Sequence, residues 1–254
     1  MIGAHVDNLN DIELVRKNKS KLVQIFLPTS NKSLEVLKKY FIKFNMDVVV
    51  HSPYTINIAN DWDENSTQIN YLIAEIIRSS RIGAKWFVVH TGKVPKNTTI
   101  EEAFNNIYSS ILYVHNKTKK YPIDILLETS VGEKNEMLSN LNDFAELMNK
   151  IKSDRIGICI DTCHIFASGY QINKDTFDLI VNLFGIDKIK LVHLNDSKND
   201  IGSHKDRHMS LGKGYIGIDN LIKFKNLCEE HNIPMIMEVP RSEITENFNL
   251  LRPN

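Results

Sequence analysis

Cysteine is scarce: Cys159, Cys163 and Cys228 are the only three in 254 residues. So odd and sparse a set builds no disulfide framework and fits a reducing compartment, and Cys159 and Cys163 are expected to be inert packing residues. Charge excess is absent too. Because 31 Lys+Arg balance 31 Asp+Glu, no bulk field draws the chain toward nucleic acid, and a polyanionic partner must be met by a local patch. No apolar run approaches bilayer-spanning length, so no membrane partner is expected. The first apolar strand begins at Ile2, which leaves no room for a signal or transit peptide; an intracellular protein is expected.

What the chain does have is repetition. Ile2 to Val6 and Leu22 to Leu27 are short apolar runs, each followed by a segment of helical periodicity. The third run, Asp47-Val48-Val49-Val50, ends in His51, and the fourth, Trp86-Phe87-Val88-Val89, ends in His90. The fifth, Ile123 to Leu127, ends in Glu128, and the sixth, with Ile156, Ile158 and Ile160, ends in Asp161, followed by His164. The seventh, Ile189-Lys190-Leu191-Val192, ends in His193, and the eighth, Met235-Ile236-Met237, ends in Glu238. Helices are expected between them, including one with Leu138, Leu141, Phe144, Leu147, Met148 and Ile151 on one face and a last one over Ser242 to Leu251.

Eight strand-helix units without an evident linker predict a single α/β domain over residues 1–254, a (β/α)8 barrel. An open doubly wound sheet is the alternative. It is disfavoured because six successive strand ends carry His, His, Glu, Asp, His and Glu, and only a closed ring brings all six C-terminal mouths together. The connection Leu194 to Gly217 is long, polar and glycine-containing, as functional loops often are. Within it, Asp206-Arg207-His208 can turn both flanking side chains the same way from an extended segment.

Nine metal-ligating candidates therefore converge: His51, His90, Glu128, Asp161, His164, His193, Asp206, His208 and Glu238. Imidazole nitrogen and carboxylate oxygen are the usual non-thiolate ligands of zinc, and one carboxylate can bridge two ions. A catalytic zinc needs about three protein ligands, so nine suit three ions better than one. Clustered ions serve phosphate ester hydrolysis, generating hydroxide and stabilising the leaving oxygen. His5, His115, His204 and His231 have no partner pattern and read as structural or exposed, although His5 ends the first strand beside the ring.

Over nearly its whole length the chain resembles endonuclease IV, the zinc-dependent apurinic/apyrimidinic endonuclease family of base excision repair, whose fold is a TIM barrel with a trinuclear zinc site. The resemblance rests on I-G-A-H-V at Ile2 to Val6, C-I-D-T-C-H at Cys159 to His164, H-L-N-D-S-K at His193 to Lys198 and D-R-H-M-S-L-G-K-G at Asp206 to Gly214. It implies that His51 and His90 bind one zinc and that Glu128 bridges it to a second, which also takes Asp161, His193 and Glu238. His164, Asp206 and His208 would hold the third. Glu128 and Glu238 are the implied catalytic carboxylates, and the implied reaction cleaves the phosphodiester 5′ to an abasic site in duplex DNA, leaving a 3′-hydroxyl. Tyr54, three residues after His51, is implied to insert into the DNA base stack. A monomer is expected.

The chain departs from the family pattern in two places. Leu27 to Lys32, after the second strand, is short and lacks the Arg and Trp that usually enter DNA there. Glu128-Thr129-Ser130-Val131-Gly132 and Glu238-Val239 differ from the usual E-N-T-A-G and E-T but keep both ligands. Two other functions compete. A sugar isomerase or epimerase on a related barrel would need only a mononuclear set such as Glu128, Asp161, His193 and Glu238, leaving the other five candidates without a use. A non-catalytic DNA-binding barrel that keeps zinc for folding is the other.

Overall fold

The computed structural model describes residues 1–252. Its eight principal strands are β1 (Ile2–His5), β2 (Leu22–Ile25), β3 (Asp47–His51), β4 (Trp86–His90), β5 (Asp124–Glu128), β6 (Ile156–Asp161), β7 (Ile189–His193) and β8 (Met235–Met237). They close into a parallel barrel in the order β1-β8-β7-β6-β5-β4-β3-β2. The expected (β/α)8 TIM barrel is therefore the fold, and the open sheet is excluded.

Strand periodicity then sorts the side chains. Successive residues point to opposite faces, so Val48, Val50, Phe87, Val89, Ile125 and Leu127 pack in the main core with the surrounding helices. The alternate residues Leu22, Val49, Val88, Leu126, Cys159, Leu191 and Ile236 fill the barrel interior, each with no solvent exposure. Two positions further along the same inner face stand Gln24, His51, His90, Glu128, Asp161, His193 and Glu238. The apolar layer is thus a dry floor under a polar ring. On β1 the corresponding pair is Gly3 and His5. Glycine is required there because a Cβ at position 3 would lie 2.2 Å from the carbonyl oxygen of Leu22.

Register places neighbouring ring members side by side. His90 pairs with Glu128 and Asp161 with His193. The β6–β7 pairing shifts between Ile158 and Cys159, and this irregularity is what brings Asp161 opposite His193.

Two helix boundaries differ from the sequence expectation. The helix expected from Leu138 begins at Leu141, because Asn140 caps it by accepting from the Asn142 amide at 2.8 Å while Leu138 takes a positive φ of 65°. The expected last helix over Ser242 to Leu251 is a 3-10 turn, Arg241–Glu243, running into a helix over Ile244–Leu250. The long connection after β7 is ordered by an antiparallel hairpin that pairs Asp196–Ser197 with His208–Met209. No described helix is long and apolar enough to cross a membrane.

Candidate metal centre

The structure brings all nine candidate ligands to the C-terminal mouth of the barrel. Glu128 is central and turns its two oxygens to different neighbours. Its Oε2 lies 3.1 Å from His51 Nε2 and 3.5 Å from His90 Nε2, whereas Oε1 lies 2.8 Å from His193 Nδ1 and 3.7 Å from His164 Nδ1. His193 Nδ1 is also 3.7 Å from both Asp161 Oδ2 and Glu238 Oε2. At the outer side, Asp206 Oδ1 is 3.3 Å from His164 Nε2 and 3.2 Å from His208 Nε2. Two groups of three, His51-His90-Glu128 and His164-Asp206-His208, each place their donor atoms within 4.8 Å of one another.

Backbone carbonyls set the ring orientations. His51 Nδ1 donates to the Ser52 carbonyl at 2.8 Å and His164 Nδ1 to that of Thr129 at 2.7 Å, which leaves Nε2 of each free to face the cluster. Asp161 does two things at once. Its Oδ1 caps the short helix Thr162–Ala167 by accepting from the His164 amide at 3.0 Å, while Oδ2 faces the cluster. Capping by one oxygen therefore leaves the other available to the cluster.

Four carboxylates so close together in a buried site need counter-charge. The protein alone can supply it only as protons on imidazole. Burial opposes a charged His208, yet Asp161, Asp206 and Glu238 raise its pKa to about 9. His164 and His193 are raised well above the usual histidine value in the same way, against their burial. Glu238 is lowered to about 2 despite burial, by His193 and His208, and Asp206 is lowered against its burial by the neighbouring imidazoles of His164 and His208. Asp161 is pushed up by burial although three imidazoles counter it.

The residues fit zinc by a direct structural sign: His90 Nε2, His164 Nε2 and His208 Nε2 are buried without a hydrogen-bond partner among the described residues. Buried nitrogens are rarely left so. An imidazole and carboxylate donor set also suits zinc better than magnesium or calcium, which prefer oxygen alone.

Asp206 and His208 reach the ring from the long loop. One buried carboxylate anchors that loop: Asp196 accepts from the amides of Ser197 at 2.8 Å, Gly212 at 2.9 Å, Gly214 at 3.1 Å and Ile216 at 3.0 Å. The backbone approaches so closely that a Cβ on Gly214 would lie 2.5 Å from Asp196 Oδ1. The sequence runs around Asp196 and around Gly214 are therefore two halves of one lock.

Three polar residues of the site escaped the sequence reading. Gln24 contacts His5, His193 and Glu238; Asn195 donates to Asp161 Oδ2 at 2.7 Å and to Glu238 Oε2 at 3.2 Å; and Thr129 Oγ1 accepts from the Asp161 amide at 2.9 Å. Gln24 stands in register with His5 on the adjacent strand. By contrast His115 bonds Ser153, His204 donates to the Val131 carbonyl and His231 stacks on Phe177, all structural roles. Burial pushes the thiols of Cys159 and Cys163 up to about 12, which leaves them protonated and unreactive.

Tyr54 stands over the ring, 69% exposed, with its centroid 5.6 Å from His51, 5.7 Å from His90 and 5.4 Å from Phe26. Beside it opens a cleft of about 370 Å³ lined in part by Asn57, His90, Lys93, Lys134, Asp206 and Arg207. Its three cations are all partnered locally, Lys93 with Glu136 at 3.0 Å, and Lys134 and Arg207 with Glu133 at 3.8 Å and 3.6 Å.

Comparison with known proteins places the barrel first in a class and then in a family. Residues 8–252 match the family model described as "Xylose isomerase-like TIM barrel". The chain is 34% identical over 253 residues to "Probable endonuclease 4" of Mycoplasmopsis agalactiae, covering 94% of this chain and 87% of the relative. It belongs to the endonuclease IV family. Among solved structures, endonuclease IV from Thermus thermophilus superposes with a TM-score of 0.83 at 21% identity, covering 99% of this chain and 97% of that one. A D-tagatose 3-epimerase-like protein reaches 0.77 at 20% identity, covering 98% of each. At such identities both likenesses show the fold alone.

Proposed function

We propose that this chain is a zinc-dependent endonuclease that hydrolyses the phosphodiester 5′ to abasic sites in double-stranded DNA, leaves a 3′-hydroxyl and serves base excision repair. The observation that carries the reading is the pair of separate ligand triads, His51-His90-Glu128 and His164-Asp206-His208, flanking a middle set of Asp161, His193 and Glu238 around the shared Glu128. A mononuclear sugar isomerase has no use for the other five candidates, His51, His90, His164, Asp206 and His208. The relative named as an endonuclease 4 supports the same choice.

Three zinc ions held by these residues would activate water, grip the phosphate oxygens and offset charge on the leaving 3′-oxygen. The protein's own task is to fix the donors. Carbonyls of Ser52 and Thr129 hold two imidazoles, Asn195 holds Asp161 and Glu238, and Glu128 links the inner groups. The apolar floor of the barrel keeps water out from below. Glu128 and Glu238 are the carboxylates assigned to catalysis, and the donor set in the middle of the ring is where the scissile phosphate is expected.

Tyr54 is assigned to the DNA. Its ring is exposed, rises directly over the ligands and is backed by Phe26. Stacking of a base on an aromatic ring contributes about 1–3 kcal/mol in single-strand binding, so Tyr54→Ala should weaken abasic-duplex binding about ten- to a hundredfold with zinc content unchanged. Unaltered affinity would remove Tyr54 from the interface.

Incision of a defined abasic duplex, with zinc counted by metal analysis and removed by chelation, tests the whole reading. Close to three ions per chain and chelator-sensitive cleavage on the 5′ side are expected. One ion, or no cleavage by the three-zinc protein, would return the sugar-enzyme or the non-catalytic reading.

A further inference from the structure

We infer that Gln24 is a positioning residue of the metal centre, which fixes the tautomer of His193 so that Nδ1 faces the cation and at the same time holds the Glu238 carboxylate. The inference rests on the zinc reading above. It concerns β2, whose mouth carries none of the nine candidate ligands.

Gln24 is wholly buried, and its amide has three neighbours. One end lies 2.7 Å from Glu238 Oε1 and 2.9 Å from His5 Nδ1, and the other 2.8 Å from His193 Nε2. A carboxylate can only accept, so the end facing Glu238 is the NH2 group. Its second hydrogen then points to His5 Nδ1, which accepts. The remaining end is a carbonyl oxygen, which can only accept, so His193 Nε2 must carry a proton. This is the one proton arrangement that satisfies all three contacts.

The consequence for the metal is direct. With Nε2 committed to Gln24, the only nitrogen His193 can offer is Nδ1, and Nδ1 is the atom surrounded by Glu128, Asp161 and Glu238. His51 and His164 are held the opposite way, with Nδ1 donating to a backbone carbonyl and Nε2 inward. A main-chain carbonyl serves those two; His193 is turned round and needs a side-chain acceptor from across the barrel. That acceptor is Gln24, and because the same amide donates to Glu238, it sets two donors of one cation together.

Partners that orient a ligating histidine typically change metal affinity about 10- to 100-fold when removed. Gln24→Leu keeps the approximate volume and removes both bonds, whereas Gln24→Glu keeps an acceptor for His193 but sets a carboxylate against Glu238. In zinc-loaded protein with 15N-labelled histidine, long-range proton–nitrogen correlation should show one imidazole ligated through Nδ1 and protonated at Nε2. Its signals should shift in Gln24→Leu and keep the same tautomer in Gln24→Glu. Competition with a chelator should show one of the three ions bound about 10- to 100-fold more weakly in Gln24→Leu and the others unchanged. If Gln24→Leu does not fold, the Gln24→Glu spectrum decides, since loss of the Nδ1-ligated signature there overturns the assignment. Ligation through Nε2 in every histidine, or wild-type zinc affinity in Gln24→Leu, also overturns it while leaving the three-zinc reading intact. A wild-type protein that takes up no zinc overturns both.

Discussion

His193 and His208 approach the same oxygen, Glu238 Oε2, at 3.7 Å and 3.5 Å, but by unlike routes. His193 ends a strand, is fully buried and is placed by sheet register opposite Asp161. His208 comes from a two-residue strand in a long loop, keeps 22% of its side chain exposed and is placed by pairing with Ser197. Barrel register cannot move without breaking the fold. A loop can be loosened while the barrel stays closed, so the two halves of the site should fail differently.

The sharpest test of that contrast removes the residue both sides of the inner ring share. Glu128→Ala should release two ions, because its two oxygens face different imidazoles, and should leave buried histidines without a counter-charge. Metal ions contribute several kcal/mol of transition-state stabilisation, so incision should fall at least about a thousandfold, or ~4 kcal/mol. Metal analysis showing three ions in this variant would end the idea of a bridging Glu128.

On the loop side, His208→Ala should leave a folded barrel with about two zinc ions and near-normal binding of abasic DNA. Its incision should be slower by about a hundredfold or more, since an ion at the leaving oxygen acts mainly in the transition state. Asp196→Asn is the milder version, touching no candidate ligand. An amide would turn at least one hydrogen toward backbone donors that the carboxylate now accepts from. Hydrogen bonds to charged groups are worth about 1.5–3 kcal/mol each, so stability should drop by roughly that amount and the outer ion should bind more weakly. Thermal denaturation and amide exchange at Gly212 to Gly217 would show it. Equal loosening throughout the barrel would mean that Asp196 is not a local lock.

The same contrast explains what could be read in advance. The position of every candidate ligand at a strand mouth was legible, because an apolar run ending in His, Glu or Asp already implies side, depth and neighbours once the ring closes. Asp206 and His208 were legible only through their one-residue spacing. The residues that hold the candidate ligands in place were not: Gln24 reads as one polar residue in an apolar strand, and Asn195 and Asp196 as part of a polar loop. Their roles depend on hydrogen bonds to residues far away in sequence, with Gln24 meeting His193 and Glu238 across the barrel. Periodicity carries no signal for such contacts. The helix start at Leu141 was missed for a related reason, since capping by Asn140 overrode the apolar pattern that Leu138 extends.

The smallest expected effect is a dependence of zinc affinity on pH that should differ between the two halves. Without metal, His208 has a pKa raised to about 9, its acidic neighbours outweighing burial, so at neutral pH it carries a proton that a zinc bound there would have to displace. A group whose pKa is raised competes with metal below that pKa and stops competing above it. Apparent affinity should therefore climb about tenfold per pH unit for each proton displaced, with the His208 contribution ending near pH 9. His90 behaves oppositely: burial, against the pull of Glu128, lowers its pKa to about 4, so it offers a free nitrogen throughout the neutral range. Zinc titrations of the metal-free protein at several pH values, repeated with His208→Ala, should show fewer protons released and a shallower slope in the variant. A slope identical in both would mean that His208 is not among the groups zinc displaces a proton from, and the loop would lose its place in the outer site.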